Sequence, residues 1–356
     1  MLLFVSQNGG GKVLMGCNGP TGSTSASWIG QGSTYTFYLY NASGCAGNDT
    51  TGLLCTLNVV GIAPLQPQVG MNKLDLLMQY YGDGSGCTIC KGVAKRLAKK
   101  AILDAKYIGA GYLRIGVSDY NGSGWLTDSV NFWAAEDAMI SDMNASGIKL
   151  VPSLMFNESQ FAVNTNTDMH SFITNPNSAA YLSFVRFITK FINRYKNNGV
   201  IDFYELHNEI NLLSDVDEYG ASGNNPIYTN FTTSDLFYYN QRIAALIRSL
   251  DQTHMITSGD GLPRTSAEHL VIQSQWVGGG DFTLDNQTQF IQYLLDTHKY
   301  FDIVSSHTYN GGGDNDRFGF TGVNNAGLVG LTKRITDSAN KFLYIGELGD
   351  QNPNSL

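Results

Sequence analysis

From about residue 68 onward, the chain alternates short apolar runs with longer amphipathic stretches, and this rhythm constrains its fold more than any other feature. Repeated alternation of this kind predicts βα units whose strands form a parallel sheet. The apolar runs predict strands at Val69–Asn72, Tyr112–Val117, Lys149–Phe156, Ile201–Glu209, Met255–Gly259, Phe301–His307 and Phe342–Glu347.

The amphipathic stretches between these runs predict helices at about 92–109, 130–146, 177–197, 234–250, 286–299 and 325–340. The fourth stretch carries the clearest signal. It opens with Thr233, Ser234 and Asp235, residue types that cap helix N-termini. Its apolar residues then recur at three- and four-residue spacing, as one face of a helix requires: Leu236, Tyr239, Ile243, Leu246 and Ile247.

Such a series of βα repeats suits either a doubly wound open sheet or an eight-stranded barrel that lacks one unit. A dinucleotide-binding open sheet needs a Gly-x-Gly-x-x-Gly turn after its first strand and a ribose-binding acid about 20 residues further on. The segment Gly82–Gly86 lacks the third glycine at the required place, and no ribose-binding acid is evident. The sequence therefore favours an α/β fold of the (β/α)8 TIM-barrel type, truncated after strand seven.

Residues 1–64 lack helical periodicity and consist of short β-type runs between clusters of Gly, Asn, Ser and Thr. The clearest runs are Thr34–Tyr40 and Leu53–Val60, and together they suggest a small antiparallel sandwich. Prolines at 64 and 67 then indicate a linker, because proline cannot donate to a sheet ladder. We predict two domains, an incomplete Ig-like or carbohydrate-binding-like β-sandwich module at 1–64 and the barrel at 65–356. Two roles stay open for this module: it binds sugar, with Trp28 as a binding residue, or it is a structural spacer.

Composition excludes several classes of partner. Lys and Arg number 22 against 30 Asp and Glu, and the resulting net charge of −8 gives poor electrostatics for nucleic acid. No window approaches the roughly 18 apolar residues that span a bilayer, and the short apolar run at residues 1–5 does not suffice for a signal peptide. Low charge, many Asn, Ser and Thr residues and several cysteines favour a secreted, extracellular protein, which we expect to be a monomer.

Polar side chains occupy the positions where the predicted barrel strands end. They are Asn72, Arg114, Asn157, Asn208 with Glu209, His307 with Tyr309, and Glu347. In a (β/α)8 barrel the active site lies at the C-terminal ends of the strands, so these side chains converge on one mouth. A single carboxylate at such a position is more often a helix cap or a member of a surface ion pair. The pair Glu209 and Glu347, however, supplies the two carboxylates that glycoside hydrolysis requires.

Four sequence elements at matching strand positions resemble the retaining glycoside hydrolases of clan A. They are Tyr204-Glu205-Leu206-His207-Asn208-Glu209 after the fourth strand, Tyr344-Ile345-Gly346-Glu347 on the seventh, Arg114 on the second, and His307-Thr308-Tyr309 at the end of the sixth. The last two make the chain most similar to family five, the cellulase-type TIM-barrel enzymes. The resemblance covers about residues 68–350.

This resemblance implies hydrolysis of O-glycosidic bonds in a polysaccharide or oligosaccharide by double displacement, without a metal or an organic cofactor. Glu209 would be the general acid/base and Glu347 the nucleophile that forms a covalent glycosyl-enzyme. Arg114 and Tyr309 would donate hydrogen bonds to Glu347 and keep it ionised.

The remaining predicted site residues would bind the substrate. The resemblance implies that Asn208 holds the sugar 2-hydroxyl and that His307 lies near Glu209. Asn157, at the end of the third strand, and Trp276, in the loop after the fifth, complete the predicted substrate-binding set.

The sequence departs from the family pattern in three places. His207 directly precedes the Asn-Glu pair, Asn157 stands where such enzymes often have His, and the eighth strand, which usually brings a sugar-stacking Trp, is missing because the chain ends at Leu356. Two alternatives to an active hydrolase therefore stay open. One is a non-catalytic carbohydrate-binding protein on a degenerate barrel, and the other is an inactive fragment of a larger glycosidase.

Two further sets of residues have competing interpretations. Aromatic residues in the βα loops either stack on sugar rings or belong to the core: Trp125, Tyr219, Trp276 and Phe318. The pair Cys87 and Cys90 indicates a local disulfide rather than a metal site, because no second Cys-x-x-Cys or His cluster accompanies it. Cys45 and Cys55 flank a predicted hairpin and form a second candidate pair, which leaves Cys17 unpaired.

Overall fold

The computed structural model describes residues 2–7, 13–17, 34–40, 53–60, 68–82, 88–118, 124–217, 227, 229–310, 318 and 325–350. The chain divides into two compact units, Met1–Pro67 and Gln68–Leu356. The division falls at the second proline of the predicted linker. The five cysteine side chains, Trp28 and Tyr219 lie outside the described residues, so the disulfide predictions and the role of the N-terminal module stay predictions.

The first unit contains a four-stranded antiparallel sheet with the strand order β2-β1-β3-β4. The strands predicted at Thr34–Tyr40 and Leu53–Val60 are confirmed with these bounds. The second layer of a sandwich is not among the described residues, and the sandwich stays a prediction. The strands are β1 (Leu2–Gln7), β2 (Val13–Cys17), β3 (Thr34–Tyr40) and β4 (Leu53–Val60).

The second unit contains a seven-stranded parallel sheet curved into a nearly closed barrel, and the strand order follows the chain. Across the remaining gap, Asn72 Nδ2 donates a hydrogen bond of 3.0 Å to the carbonyl oxygen of Gly346. The predicted TIM-barrel fold is therefore confirmed. Its strands are β5 (Gly70–Asn72), β6 (Tyr112–Gly116), β7 (Lys149–Ser153), β8 (Phe203–Glu205), β9 (Met255–Thr257), β10 (Ile303–Asn310) and β11 (Phe342–Asp350).

Strand β8 ends at Glu205 rather than Glu209, and strand β9 ends at Thr257 rather than Gly259. The backbone N–H groups of Leu206 and His207 still donate to the next strand at 3.0 Å, but Glu209 and Gly259 then take positive φ values of 51° and 84°. This backbone conformation cannot continue a strand. The ends of both predicted strands therefore become turns at the mouth of the barrel.

Helices follow the strands, and all six predicted helices are confirmed to within a few residues. Among the described residues, no helix is both long and apolar enough to cross a membrane. The helices are α1 (Leu76–Tyr81), α2 (Thr88–Tyr107), α3 (Gly124–Thr127), α4 (Ser129–Ser146), α5 (Gln160–Asn164), α6 (Met169–Thr174), α7 (Ala179–Tyr195), α8 (Thr233–Leu250), α9 (Ala267–Ile272), α10 (Gln287–Thr297) and α11 (Asn325–Ser338).

Helix α8 shows how the sequence signals act locally. Thr232 is its N-cap and forms a capping box with Asp235, in which each side chain accepts from the backbone of the other. The predicted apolar face is buried at Leu236, Tyr239, Ile243 and Ile247, with Leu246 half-buried beside it. The cap satisfies the free N–H groups of the first turn, and the buried face holds the helix against the barrel.

Two of the loop aromatics belong to the core. Trp125 is 1% exposed and packs on Phe187 with ring centroids 5.6 Å apart. Phe318 is 4% exposed and packs edge-on against Phe290 at 5.1 Å. A ring enclosed in this way cannot stack on a sugar, so the core interpretation is confirmed for both residues.

One residue of the core carries an unusual charge state. Glu136 on α4 has no exposed surface, and within the described part of the chain neither of its carboxylate oxygens has a hydrogen-bond partner. Burial raises the pKa of Glu136 well above its usual value, with a further contribution from Asp137 against an opposing one from Arg194. The folded chain therefore keeps the Glu136 carboxyl group protonated, whereas the unfolded chain ionises it above its ordinary pKa. Ionisation stabilises the unfolded chain alone, so Glu136 lowers the free energy of unfolding as the pH rises.

We expect Glu136→Met to raise the free energy of unfolding at pH 7 by about 1–3 kcal/mol, because an unsatisfied buried acid is replaced by an apolar group of similar length. The gain should shrink towards pH 4, as measured by urea unfolding at both pH values. The neighbouring Asp137 is the control, because its hydrogen bond with Arg194 lowers its pKa and Asp137→Asn should not stabilise at pH 7. An equal gain from Glu136→Met at both pH values would contradict the assignment of the neutral acid.

Candidate active site

Six of the eight predicted site residues meet at the C-terminal mouth of the barrel. Because parallel strands all point the same way, residues within or just after β6, β8, β10 and β11 reach one space. His307 and Glu347 are directly paired in the register of β10 and β11. The six residues are Arg114, Asn208, Glu209, His307, Tyr309 and Glu347.

Arg114 on β6 is the centre of this network. Its guanidinium group donates through Nε and Nη2 to the two carboxylate oxygens of Glu205, both at 2.7 Å. It also donates through Nη1 to Glu347 Oε1 at 2.6 Å and through Nη2 to Asn208 Oδ1 at 2.7 Å. The side chains of Arg114 and Glu205 are fully buried. The fork of Arg114 thereby fixes one carboxylate on each of two strands and the amide of Asn208.

Glu347 is held ionised by its surroundings. Arg114 binds Oε1, the Tyr309 hydroxyl donates to Oε2, and His307 Nδ1 lies 3.6 Å from Oε1. Burial works against ionisation, but His307, Tyr309 and Arg114 outweigh it and lower the pKa of Glu347 below its usual value. Burial and the hydrogen bond to Glu347 raise the pKa of Tyr309, so its hydroxyl stays a donor. The result is a carboxylate that is charged, oriented and largely shielded from water.

Glu209 differs from Glu347 in both its backbone and its environment. Its φ of 51° is a left-handed conformation that costs a non-glycine residue about 1–3 kcal/mol. Its N–H donates to the Gly259 carbonyl at 2.9 Å, which holds this conformation in place. The Glu209 side chain is 31% exposed against 13% for Glu347. Glu209 can therefore exchange a proton with solvent while Glu347 is enclosed.

His307 lies between the two carboxylates. Its Nδ1 is 2.8 Å from Glu209 Oε1 and 3.6 Å from Glu347 Oε1. One oxygen of Glu209 and one of Glu347 lie within 4.8 Å of each other and of this nitrogen. The ring fits because residue 346 is glycine: a Cβ there would stand 2.6 Å from His307 Nε2. A side chain at position 346 would displace the histidine from both acids.

The same three residues are also the one group in the described part of the chain whose spacing would admit a metal ion. Glu209, Glu347 and His307 each offer one ligand atom within 4.8 Å of the others. The Arg114 guanidinium, however, already binds the Glu347 oxygen that faces His307. A cation placed there would meet that positive charge, so the donor set does not suit a resident metal.

The two other predicted site residues, Asn157 and Trp276, lie in two different turns. Asn157 lies in the turn before α5, where its Oδ1 accepts from the N–H and the hydroxyl of Ser159, both at 3.2 Å. Trp276 lies half-buried in the turn between α9 and α10, and its Nε1 is buried without a hydrogen-bond partner among the described residues. The substrate-binding roles of Asn157 and Trp276 stay predictions.

Sequence reasoning missed Glu205 as a member of the site. Arg114 stands in the apolar strand segment Tyr112–Gly116, and an arginine buried in such a strand needs a buried acid as its partner. Glu205, the last residue of β8, is the acid that the neighbouring strands offer in the barrel interior. The missed signal was therefore the presence of an unpaired arginine in one strand and an unpaired glutamate in another.

Comparison with known proteins agrees with this geometry. Residues 163–355 match the family model described as Cellulase (glycosyl hydrolase family 5). The endo-1,4-beta-D-mannanase from Thermotoga petrophila RKU-1 has a TM-score of 0.53 and 16% identity over 82% of this chain and 81% of that one. The endo-1,4-beta-mannanase from Rhizomucor miehei has a TM-score of 0.51 and 17% identity over 79% and 77% of the two chains. No curated protein matches the chain in sequence.

The structural likenesses show a shared barrel fold, and the sequence match covers more than half of the chain. That match includes Asn208, Glu209, His307, Tyr309 and Glu347, the residues that the structure gathers at the barrel mouth. The chain therefore belongs to glycosyl hydrolase family 5, in clan A, and is a glycoside hydrolase.

Proposed function

We propose that this enzyme cleaves a β-linked polysaccharide or oligosaccharide with net retention of configuration, with Glu347 as the nucleophile and Glu209 as the general acid/base. The distance between the two carboxyl groups carries the proposal. One oxygen of Glu209 and one of Glu347 lie within 4.8 Å of each other, which favours the separation of about 5–5.5 Å between the carboxyl groups of retaining glycosidases over the about 6.5–9.5 Å by which inverting enzymes admit a water molecule.

In the first step, the ionised Glu347 attacks the anomeric carbon and forms a glycosyl ester, while the glycosidic C–O bond breaks. Glu209 gives its proton to the leaving oxygen. Arg114 and Tyr309 orient the attacking carboxylate. Asn208 accepts from Arg114 through Oδ1, so its amide nitrogen is the donor that remains for the sugar 2-hydroxyl.

In the second step, Glu209 takes a proton from water, and the water oxygen attacks the anomeric carbon and releases Glu347. The same residue serves as acid and then as base because esterification removes the negative charge of Glu347 beside it. His307 Nδ1 lies beside both carboxyl groups, 2.8 Å from Glu209 Oε1 and 3.6 Å from Glu347 Oε1.

The direct test is product analysis on β-1,4-mannan, β-1,4-glucan and xylan, followed by proton NMR of the first product formed. The panel includes mannan because the two structural relatives are endo-1,4-β-mannanases and glucan because the family model is named Cellulase. We expect reducing sugar with the β-anomer formed first. An α-anomer formed first would exclude double displacement, and binding without release of sugar would favour a non-catalytic sugar-binding protein.

Tyr309 provides a prediction on pH dependence. Tyr309→Phe removes a hydrogen bond that helps to lower the pKa of Glu347, so this pKa should rise towards its ordinary value. Because the nucleophile must be ionised, the acid limb of kcat/KM should move to higher pH, and activity at the optimum should fall about 10- to 100-fold. Tyr238, an exposed tyrosine on α8, is the control, and Tyr238→Phe should leave the profile unchanged. An unmoved acid limb in Tyr309→Phe would contradict the role given to Tyr309.

A further inference from the structure

Behind Glu209 lies a buried polar cluster that the proposed mechanism does not use. Asp260, in the turn after β9, stands between His207 and His298, and none of the three is more than 2% exposed. His207 Nε2 lies 3.8 Å from Asp260 Oδ1, and His298 Nε2 lies 3.7 Å from Asp260 Oδ2. Within the part of the chain that the structure describes, neither oxygen of Asp260 has a hydrogen-bond partner.

The contacts of His298 show which of its nitrogens carries the proton. Its Nδ1 lies 2.9 Å from the carbonyl oxygen of Leu294, an atom that can only accept, so the proton is on Nδ1. Burial lowers the pKa of His298 to about 4, and the neutral ring therefore presents a lone pair at Nε2. The Ser258 hydroxyl, 3.0 Å from Nε2, is within hydrogen-bond reach of that lone pair, and the neutral ring brings no positive charge to Asp260 Oδ2, 3.7 Å away.

His207 faces the other oxygen of Asp260. Burial lowers the pKa of His207 to about 3, so this ring is also neutral. Its Nε2 lies 3.4 Å from Asn240 Oδ1, which places the proton on Nε2. Asp260 thus lies between two neutral imidazole rings, both beyond hydrogen-bond distance, and neither offers its carboxyl group a positive charge. A carboxyl group buried without a cationic partner favours its neutral form.

The turn that carries Asp260 supports Glu209 directly. Glu209 N–H donates to the Gly259 carbonyl at 2.9 Å, and a Cβ on Gly261 would stand 3.0 Å from Glu209 Oε1. Asn211, two residues after Glu209, exchanges two hydrogen bonds with the backbone of Gly261, at 2.9 and 3.1 Å. The position of the 259–261 turn therefore sets the position of the Glu209 carboxyl group.

We propose that Asp260 is a positioning residue for Glu209: a buried carboxylic acid that stays protonated between His207 and His298 and braces the 259–261 turn against Glu209. The proposal rests on Glu209 being the acid/base of the proposed function. Burial is the main cause that raises the pKa of Asp260 to about 7. Ser258 lowers this pKa, and the negative charges of Glu205 and Glu209 raise it further. The titratable groups that face Asp260 are Glu205, His207, Glu209, Tyr293 and His298.

The first test measures stability against pH in Asp260→Asn, whose amide matches the neutral acid with an acceptor at Oδ1 and a donor in place of the Oδ2 hydroxyl. In the unfolded wild-type chain Asp260 ionises above its ordinary pKa, whereas in the folded chain it ionises only near pH 7. Wild type should therefore lose stability relative to the variant as the pH rises from 4 to 7, by up to about tenfold in the unfolding equilibrium constant per pH unit. Above pH 7 the difference in stability should stay constant.

Asp251, at the opposite end of β9, is the matched control. Its side chain is also 2% exposed, and burial is outweighed by hydrogen bonds with Thr253, His254 and Tyr204, which lower its pKa. Asp251→Asn should therefore be less stable than wild type at every pH from 5 to 7. A loss of stability over this range in Asp260→Asn would mean that Asp260 is ionised, and it would overturn the proposal without touching the proposed function.

The second test is kinetic. Asp260→Asn should keep kcat within about threefold of wild type at pH 6. Asp260→Ala removes the side chain that supports the 259–261 turn and should lower kcat about 10- to 100-fold with little change in KM. The loss falls on kcat because a small misplacement of Glu209 slows the chemical step. An unchanged kcat in Asp260→Ala would exclude the positioning role. If Asp260→Ala fails to fold, titration of the ¹³C-labelled Asp260 carboxyl group in wild type decides, and ionisation below pH 5 would overturn the proposal.

Discussion

Glu347→Gln is expected to lower hydrolysis by at least about 10⁴-fold, the loss that follows when an enzyme is deprived of its nucleophile. The glutamine has the same shape and keeps one oxygen for Arg114 or Tyr309, but it cannot attack the anomeric carbon. Glu347 is the more enclosed of the two acids and carries the lowered pKa, so no other carboxylate at the mouth can replace it. Release of reducing sugar from the best polysaccharide of the panel measures the loss.

The control is Glu268→Gln, a change of the same chemistry on α9, which should change kcat/KM less than twofold. The smaller variant Glu347→Ala leaves space for azide, which should restore turnover of an activated aryl glycoside and give a glycosyl azide of inverted configuration. Glu209→Gln should differ, because it should slow substrates with poor leaving groups far more than activated ones. Residual hydrolysis above about one per cent in Glu347→Gln would show that another group is the nucleophile.

Much of this site was predictable because a parallel barrel leaves little freedom in where its strands end. Arg114, His307 and Glu347 lie within strands, so their convergence follows from the alternation of apolar runs and helices. The predicted helices succeeded for a similar reason. An amphipathic face such as that of α8 can be buried in one orientation only.

The irregular parts of the site were not predictable from local sequence. Glu209 adopts φ of 51° because its N–H is bound by Gly259, a residue 50 positions away in the chain. No pattern near Glu209 indicates that tertiary contact. Likewise, residue types indicate that Arg114 binds an acid, but they do not rank Glu205 against Glu347. The role of Trp125 stayed open in the sequence because a loop aromatic can fold back into the core as easily as it can face a ligand.

The pairing of Arg114 with Glu205 carries the second large prediction, because it concerns charges that are entirely buried. Arg114→Met removes the positive charge and leaves Glu205 ionised in the barrel interior with no partner. Breaking one side of a buried ion pair costs about 3–5 kcal/mol, and we expect the free energy of unfolding to fall by that amount. The variant should also lose about 10²- to 10³-fold in kcat, because Glu347 loses a charged donor.

The double variant Arg114→Met with Glu205→Gln separates these two effects. It removes both buried charges, so urea unfolding should show recovery of most of the lost stability, since replacing a buried pair by neutral groups is often close to neutral. Activity should not recover, because Glu347 and Asn208 still lack their donor. If stability did not recover, the uncompensated charge of Glu205 would not be the cause of the loss. If activity recovered with stability, Arg114 would serve the fold alone and Glu347 would owe its ionisation to Tyr309 and His307.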